Sequence, residues 1–211
     1  KGLLDIQQHS VQNSANDQDV PHAHSAWFTS DGNNIISVDL GTNQLWFSQL
    51  DPEQQKLLPN TQNTLDMAPG AGPRHLTIHP NGKWIYVVNE LDSTVGFVKK
   101  NTEGQYELST SFSTLPDGFE EESFCADIHI SADGKFVYAS NRGHNSIAIF
   151  SVNDSDGSLQ SVGHESVRGK WPRNFSLSPD DTFLLVANQH TNNIVSYKRD
   201  KATGLLNFAS E

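Results

Sequence analysis

Seven residues of this 211-residue chain have the types that an anion-handling site needs: His24, Arg74, His75, Glu90, Arg142, His144 and Arg173. Two or three guanidiniums form a planar, bidentate receptor for phosphate or carboxylate, which nominates Arg74, Arg142 and Arg173. Glu90 and His24 can accept a proton from water near neutral pH when their surroundings shift their pKa values. His75 and His144 are candidates for touching a ligand, the first from a strand and the second from a loop. Equally, Arg74 and Glu90 could be a cross-strand ion pair with no chemistry, and His75 and His129 could be packing residues.

What could bring these residues together is a repeated hairpin. In residues 72–98 the alternating runs His75–His79 and Lys83–Val88 flank the turn Pro80-Asn81-Gly82, and a third run, Thr94–Val98, follows Leu91-Asp92-Ser93. Alternation around a glycine turn predicts an antiparallel meander. The unit recurs from Pro21, Gly72, Cys125 and Pro172, with turn residues Gly32, Gly82, Gly134 and Asp181 spaced 50, 52 and 47 apart. Fourth strands are expected at Lys56–Leu58, Tyr106–Phe112, Leu159–His164 and Leu205–Ala209. A period near fifty made of short strands predicts an all-β propeller of four-stranded antiparallel blades. A lone blade cannot cover its two faces, so the alternating Val, Ile, Phe and Leu side chains are blade-to-blade core. The one weak helical candidate is Asp51–Leu58, opened by Asp-Pro, with a short turn as the equal alternative.

The expected layout is a single partial propeller domain: residues 1–20 as the outer strand of a preceding blade, seen in Leu3–Val11, then blades at 21–69, 70–123, 124–170 and 171–211. Four blades with no closing partner read as part of a larger ring, with a four-bladed ring as the alternative. Counting outward from each turn residue pairs Arg74 with Glu90, Ala126 with Arg142, His24 with Leu40 and Arg173 with Gln189. All five charged or basic candidates then share one rim, where propeller loops converge on a concavity. A base, cations and an acid on one rim are the requirements for opening a lactone: water activation, oxyanion stabilisation and protonation of the leaving alkoxide.

Composition narrows the partners. A formal charge of −11 and 35% hydrophobic residues describe a loop-rich globular protein. An acidic surface argues against nucleic acid or an anionic membrane as main partner. No apolar run approaches the ~20 residues of a membrane span, and KGLLDIQQHSVQ lacks a signal-peptide core, so a cytoplasmic location is expected unless a leader has been removed. The single cysteine, Cys125, excludes an internal disulfide and reads as a small buried thiol. His22 and His24 in HAH have no acidic or cysteine partner at ligand spacing, so no metal or other cofactor is expected. Asn89, Asn141 and Asn188 recur in one column and read as turn residues.

The stretches HAHS, GAGPRHLTIHPNGKWIYVVNELDSTV, STLPDGFEEESFCADIHISADGKFVYASNRGHNSIAIF and WPRNFSLSPDDTFLLVANQHTNNIV resemble the lactonase family of seven-bladed β-propellers. That family holds bacterial 6-phosphogluconolactonases and fungal carboxymuconate-lactonizing enzymes. The resemblance runs from about Val20 to Lys201 and implies a parent of seven blades and a metal-independent site. It places the family's functional His, Arg, Glu and Arg on His24, Arg74, Glu90 and Arg142. The implied activity is hydrolysis of 6-phosphoglucono-δ-lactone, a small anionic sugar lactone, to 6-phosphogluconate in the pentose phosphate pathway. A carboxymuconate-type cycloisomerase on the same site, or a non-catalytic propeller binding ligand or protein at its rim, are the alternatives.

Overall fold

Alternation makes each strand two-faced, and turn residues that accept a positive φ end it where the hairpin must reverse. In the computed structural model, which describes residues 3, 5–10 and 20–211, these runs form sixteen strands in four antiparallel sheets. The first sheet holds β1 (Ala23–Phe28), β2 (Asn34–Asp39), β3 (Gln44–Asp51) and β4 (Lys56–Asp66). The second holds β5 (Pro73–Ile78), β6 (Trp84–Asn89), β7 (Thr94–Lys100) and β8 (Tyr106–Ser113). The third is β9 (Phe124–Ile130), β10 (Phe136–Arg142), β11 (Ser146–Val152) and β12 (Leu159–Ser166), and the fourth β13 (Pro172–Leu177), β14 (Phe183–Asn188), β15 (Asn193–Arg199) and β16 (Leu206–Ser210). Within every sheet the strands lie in chain order, and the first strands β1, β5, β9 and β13 approach one another in succession. That is the blade arrangement of a propeller, with first strands innermost.

The core is three interfaces. Ile36, Val38, Leu45 and Phe47 of the first sheet pack on Leu76, Ile85 and Val87 of the second. Tyr86, Val88, Val95 and Phe97 meet Ile128, Val137, Ala139 and Phe150, and Tyr138, Ile147 and Ile149 meet Phe175, Leu184, Val186 and Val195. Each such side chain contributes roughly 1.5–3 kcal/mol on burial. Polar clasps repeat beside these contacts: the Tyr86 hydroxyl donates to the Gly157 carbonyl at 2.8 Å, and the Tyr138 hydroxyl to that of Gly204 at 2.8 Å.

Gly157 shows how tight this clasp is. Its φ is +78°, and a Cβ there would stand 2.5 Å from the Trp84 ring. Gly157→Ala is expected to cost about 2–4 kcal/mol, from left-handed strain plus overpacking. Gly104, with φ +81° and open space where its Cβ would point, should lose only about 1–2 kcal/mol on the same change. Urea unfolding of both variants checks the difference; equal midpoints would mean the clasp is loose.

The structure settles one sequence alternative and corrects two expectations. Asp51–Leu58 holds a short turn and no helix: β3 ends at Asp51, whose carboxylate accepts the N–H groups of Glu53 and Gln54 at 2.9 Å each, and β4 starts at Lys56. That Asx turn consumes the donors a first helical turn would leave free. Of the N-terminal segment expected as an outer strand, residues 5–10 carry no strand pairing; Leu4 and Val11 lie outside the described residues. Instead Asp5 accepts the Leu57 N–H at 2.8 Å, and the His9 ring stacks on Trp46 with centroids 4.3 Å apart. The second correction is the hairpin register, and it bears directly on the site.

Candidate active site

Every first strand carries a β-bulge near its start, and the inserted residue is a site candidate in three of the four. The register jumps between Ala23 and Ser25, Pro73 and His75, and Pro172 and Asn174, leaving His24, Arg74 and Arg173 as the extra residues. In β9 the jump falls opposite Ser140, where the Asp127 N–H donates to the Ser140 hydroxyl at 3.0 Å. A bulge re-aims a side chain out of the plain alternation. It also shifts the pairing. Glu90 N–H donates to Gly72 O at 2.7 Å, Leu40 to His22 at 3.1 Å and Gln189 to Trp171 at 2.9 Å, while Arg142 pairs with Phe124. Each partner stands two residues earlier than symmetric counting from the turn glycine gives. One residue comes from a turn centred ahead of the glycine, the other from the bulge.

Arg74 and Glu90 meet all the same, through side-chain reach. Arg74 Nε donates to Glu90 Oε2 at 2.8 Å, and Arg142 Nη2, from the next blade, lies 3.0 Å from Oε1. Both guanidiniums are buried and also hold the chain at the bulge: Arg74 donates to the Ala126 carbonyl, and Arg142 to those of Phe124 and Cys125 at 3.3 and 2.8 Å. Burial, only partly offset by Glu90 and reinforced by Arg142 and Arg173, pulls the Arg74 pKa below its ordinary value. A patch of positive potential that disfavours further cations is a receptor for anions.

His24 stands edge-on to His75, ring centroids 5.1 Å apart, and its Nδ1 is buried with no partner among the described residues. Burial first, then the charge of Arg74, push its pKa down to about 4. The imidazole is therefore neutral at pH 7. The unfolded chain, with its ordinary value of 6.5, binds the proton more readily than the native one. The stability this represents is complete above pH 6.5 and is lost as pH falls towards 4. His24→Asn should flatten the fall in urea midpoint between pH 7 and pH 4.5; an unchanged slope would place the acid sensitivity elsewhere.

A residue absent from the sequence candidates, Asp127, joins three blades. Its carboxylate accepts from His75 Nδ1 at 2.8 Å, His129 Nε2 at 3.3 Å, Asn174 Nδ2 at 2.6 Å and Phe175 N–H at 3.2 Å. Burial works to raise its pKa, but the hydrogen bonds and charges of His129 and His75 outweigh that and hold it below the usual carboxylate range. Aligned on the turns, Asp127 occupies the same column as Ser25, His75 and Asn174. That column was the available signal.

Arg74, His75, Arg173, Asn174 and Gln189 border a cavity of about 340 Å³. Arg173 is exposed, so its guanidinium meets solvent there. A larger cavity, about 480 Å³, lies at the opposite, turn end among Thr29, Asp31, Gly82 and Tyr106; no candidate residue borders it. His144 stands apart: Nδ1 lies 2.7 Å from the Ser146 hydroxyl, and the ring packs on Phe119 and on His164 of outer strand β12. Burial and His164 lower its pKa. Cys125 is buried, and desolvation raises its thiol to about 12, which leaves it unreactive. Asn89 donates to the Thr94 hydroxyl at the start of β7, and Asn141 and Asn188 donate to the carbonyls of Thr114 and Val167, just past β8 and β12. Among the described residues no three His, Cys, Asp or Glu side chains are disposed to hold a metal ion, and no helix is long and apolar enough to cross a membrane.

Four-stranded blades whose first strands lie side by side define a β-propeller. The family model for the seven-bladed β-propeller lactonases matches residues 2–211, and the chain belongs to that family. It is 41% identical over 190 residues to the 6-phosphogluconolactonase of Bacillus subtilis and 42% identical over 195 residues to that of Formosa agariphila. Both matches cover 90% of this chain and 53% and 54% of the relatives, so the chain spans about half their length. The structure of the periplasmic gluconolactonase PpgL of Pseudomonas aeruginosa superposes with a TM-score of 0.85 at 30% identity, covering 92% of this chain and 54% of that one. A Lactobacillus plantarum protein gives 0.88 at 33%, over 97% and 59%.

Proposed function

We propose that the protein carrying this segment hydrolyses a sugar lactone, 6-phosphoglucono-δ-lactone, to 6-phosphogluconate. The observation that carries this reading is the pair of buried guanidiniums, Arg74 and Arg142, converging from two blades on Glu90, with Arg74 also bordering the 340 Å³ cavity. Glu90 fixes both arginines, so their remaining N–H groups keep one orientation and can meet an oxyanion without reorganising. Arg173, exposed across the cavity, is the group free to take the phosphate. The names of the Bacillus and Formosa relatives support the phosphorylated substrate. The Pseudomonas structure favours a second reading, an unphosphorylated gluconolactone.

Calorimetric titration of the full-length protein with 6-phosphogluconate and with gluconate separates the two. A charge-assisted hydrogen bond is worth about 1.5–3 kcal/mol, so Arg173 should favour the phosphorylated acid by roughly 10–100-fold, and Arg173→Ala should abolish the preference. Equal affinities would assign the site to the unphosphorylated sugar. Binding of neither would remove the sugar-acid reading altogether.

A further inference from the structure

We propose that His75 is the base that activates water in this site and that Asp127 is the residue that positions it. The proposal rests on the lactonase reading of the same cavity. Its geometry centres on Asp127 and meets the arginine–glutamate cluster only through Arg74. The Asp127 carboxylate is buried, engages donors from β5, β9 and β13, and is ionised, hence acceptor-only. His75 Nδ1, 2.8 Å from Oδ1, must therefore carry the imidazole proton. In the neutral ring that leaves the lone pair on Nε2, 3.4 Å from Arg74 Nη1, and both residues border the 340 Å³ cavity. A carboxylate that fixes tautomer and ring orientation is the arrangement that makes a histidine an effective general base.

The other proton acceptors are worse placed. Glu90 is held by two guanidiniums, one on each oxygen at 2.8 and 3.0 Å, whereas His75 Nε2 meets only Arg74 Nη1, at 3.4 Å. Among the described residues His24 has no carboxylate behind it, and its low pKa makes it a weak base. The charged and titratable groups around His75 are His24 from β1, Arg74 on its own strand with Glu90 beyond it, Asp127 and His129 from β9 and Arg173 from β13.

The step balances without a further reactant. Nε2 takes a proton from water as the water oxygen bonds to the lactone carbonyl carbon, and the resulting oxyanion faces Arg74. The ring C–O bond then breaks, its oxygen takes the proton back from the imidazolium, and the new carboxylic acid releases its proton to solvent.

The test uses the full-length protein. Wild type must open 6-phosphoglucono-δ-lactone faster than spontaneous hydrolysis; no enhancement would overturn the lactonase reading itself. Given activity, His75→Gln and Asp127→Asn should each lower kcat by about 10²–10⁴-fold, with KM changed only a few-fold. The acid limb of the kcat/KM profile should vanish in His75→Gln, and free imidazole should restore rate to His75→Gly. Where Asp127→Asn fails to fold, the profile and the rescue still decide. A raised KM at unchanged kcat, or an acid limb that persists in His75→Gln, would make His75 a binding residue and overturn the proposal while leaving the lactonase reading intact.

Discussion

Glu90→Ala is expected to lower the melting temperature by roughly 6–12 °C and to abolish lactone hydrolysis. The carboxylate is the only anion bonded to two buried guanidiniums among the described residues, and its own side chain is 21% exposed. Removing one partner of a buried ion pair costs about 3–5 kcal/mol, because the other charge is left uncompensated. The partial exposure places Glu90 near the lower figure. For a domain of this size 1 kcal/mol moves Tm by about 2–4 °C. The loss of activity has the same origin. Arg74 and Arg142 would repel each other, and Arg74 would lose its bearing on the cavity. Glu90→Gln keeps the shape but removes the charge, so it should fall between wild type and alanine in both measurements. Scanning calorimetry beside the hydrolysis assay checks this; a Glu90→Ala protein with wild-type Tm and rate would reduce the cluster to a surface ion pair.

The second large effect belongs to Arg74→Lys. Arg74 bonds Glu90 through Nε and the Ala126 carbonyl through Nη1, and it borders the cavity. One ammonium cannot satisfy all three directions, although it keeps the charge. Loss of an oriented donor to a developing oxyanion lowers kcat by about 10²–10³-fold. Steady-state kinetics should show that fall in kcat with a smaller change in KM. A lysine variant within three-fold of wild type would mean that charge alone, without orientation, is what the site uses.

The repeat made the blades legible from sequence. Gly32, Gly82, Gly134 and Asp181 punctuate runs whose alternation can have only one buried face, and the four sheets follow those runs. The common rim was legible for the same reason, since His24, Arg74 and Arg173 keep one distance from their turns. The facing residues were not. Counting assumes an unbroken ladder, and a bulge at the first strand of each blade inserts one residue where nothing in the local composition announces it. Asp127 was missed because its importance is relational. Within its own blade it is one acid near the start of a strand; only the adjacent blades supply His75 and Asn174 to its two oxygens. His144, a loop histidine near Arg142 in sequence, does not border the 340 Å³ cavity; its contacts are with Ser146, Phe119 and His164 of β12, which lies farther from the innermost strand than β10 does.

The central claim is that this rim opens a phosphorylated sugar lactone, and one kinetic measurement meets it directly. Freshly prepared 6-phosphoglucono-δ-lactone is added to the full-length protein, proton release is followed at constant pH, and the spontaneous rate is subtracted. Wild type should release protons in a saturable, enzyme-dependent phase that Arg74→Ala and Glu90→Ala both remove. A wild-type rate equal to the spontaneous one, or variant rates equal to wild type, would contradict the account.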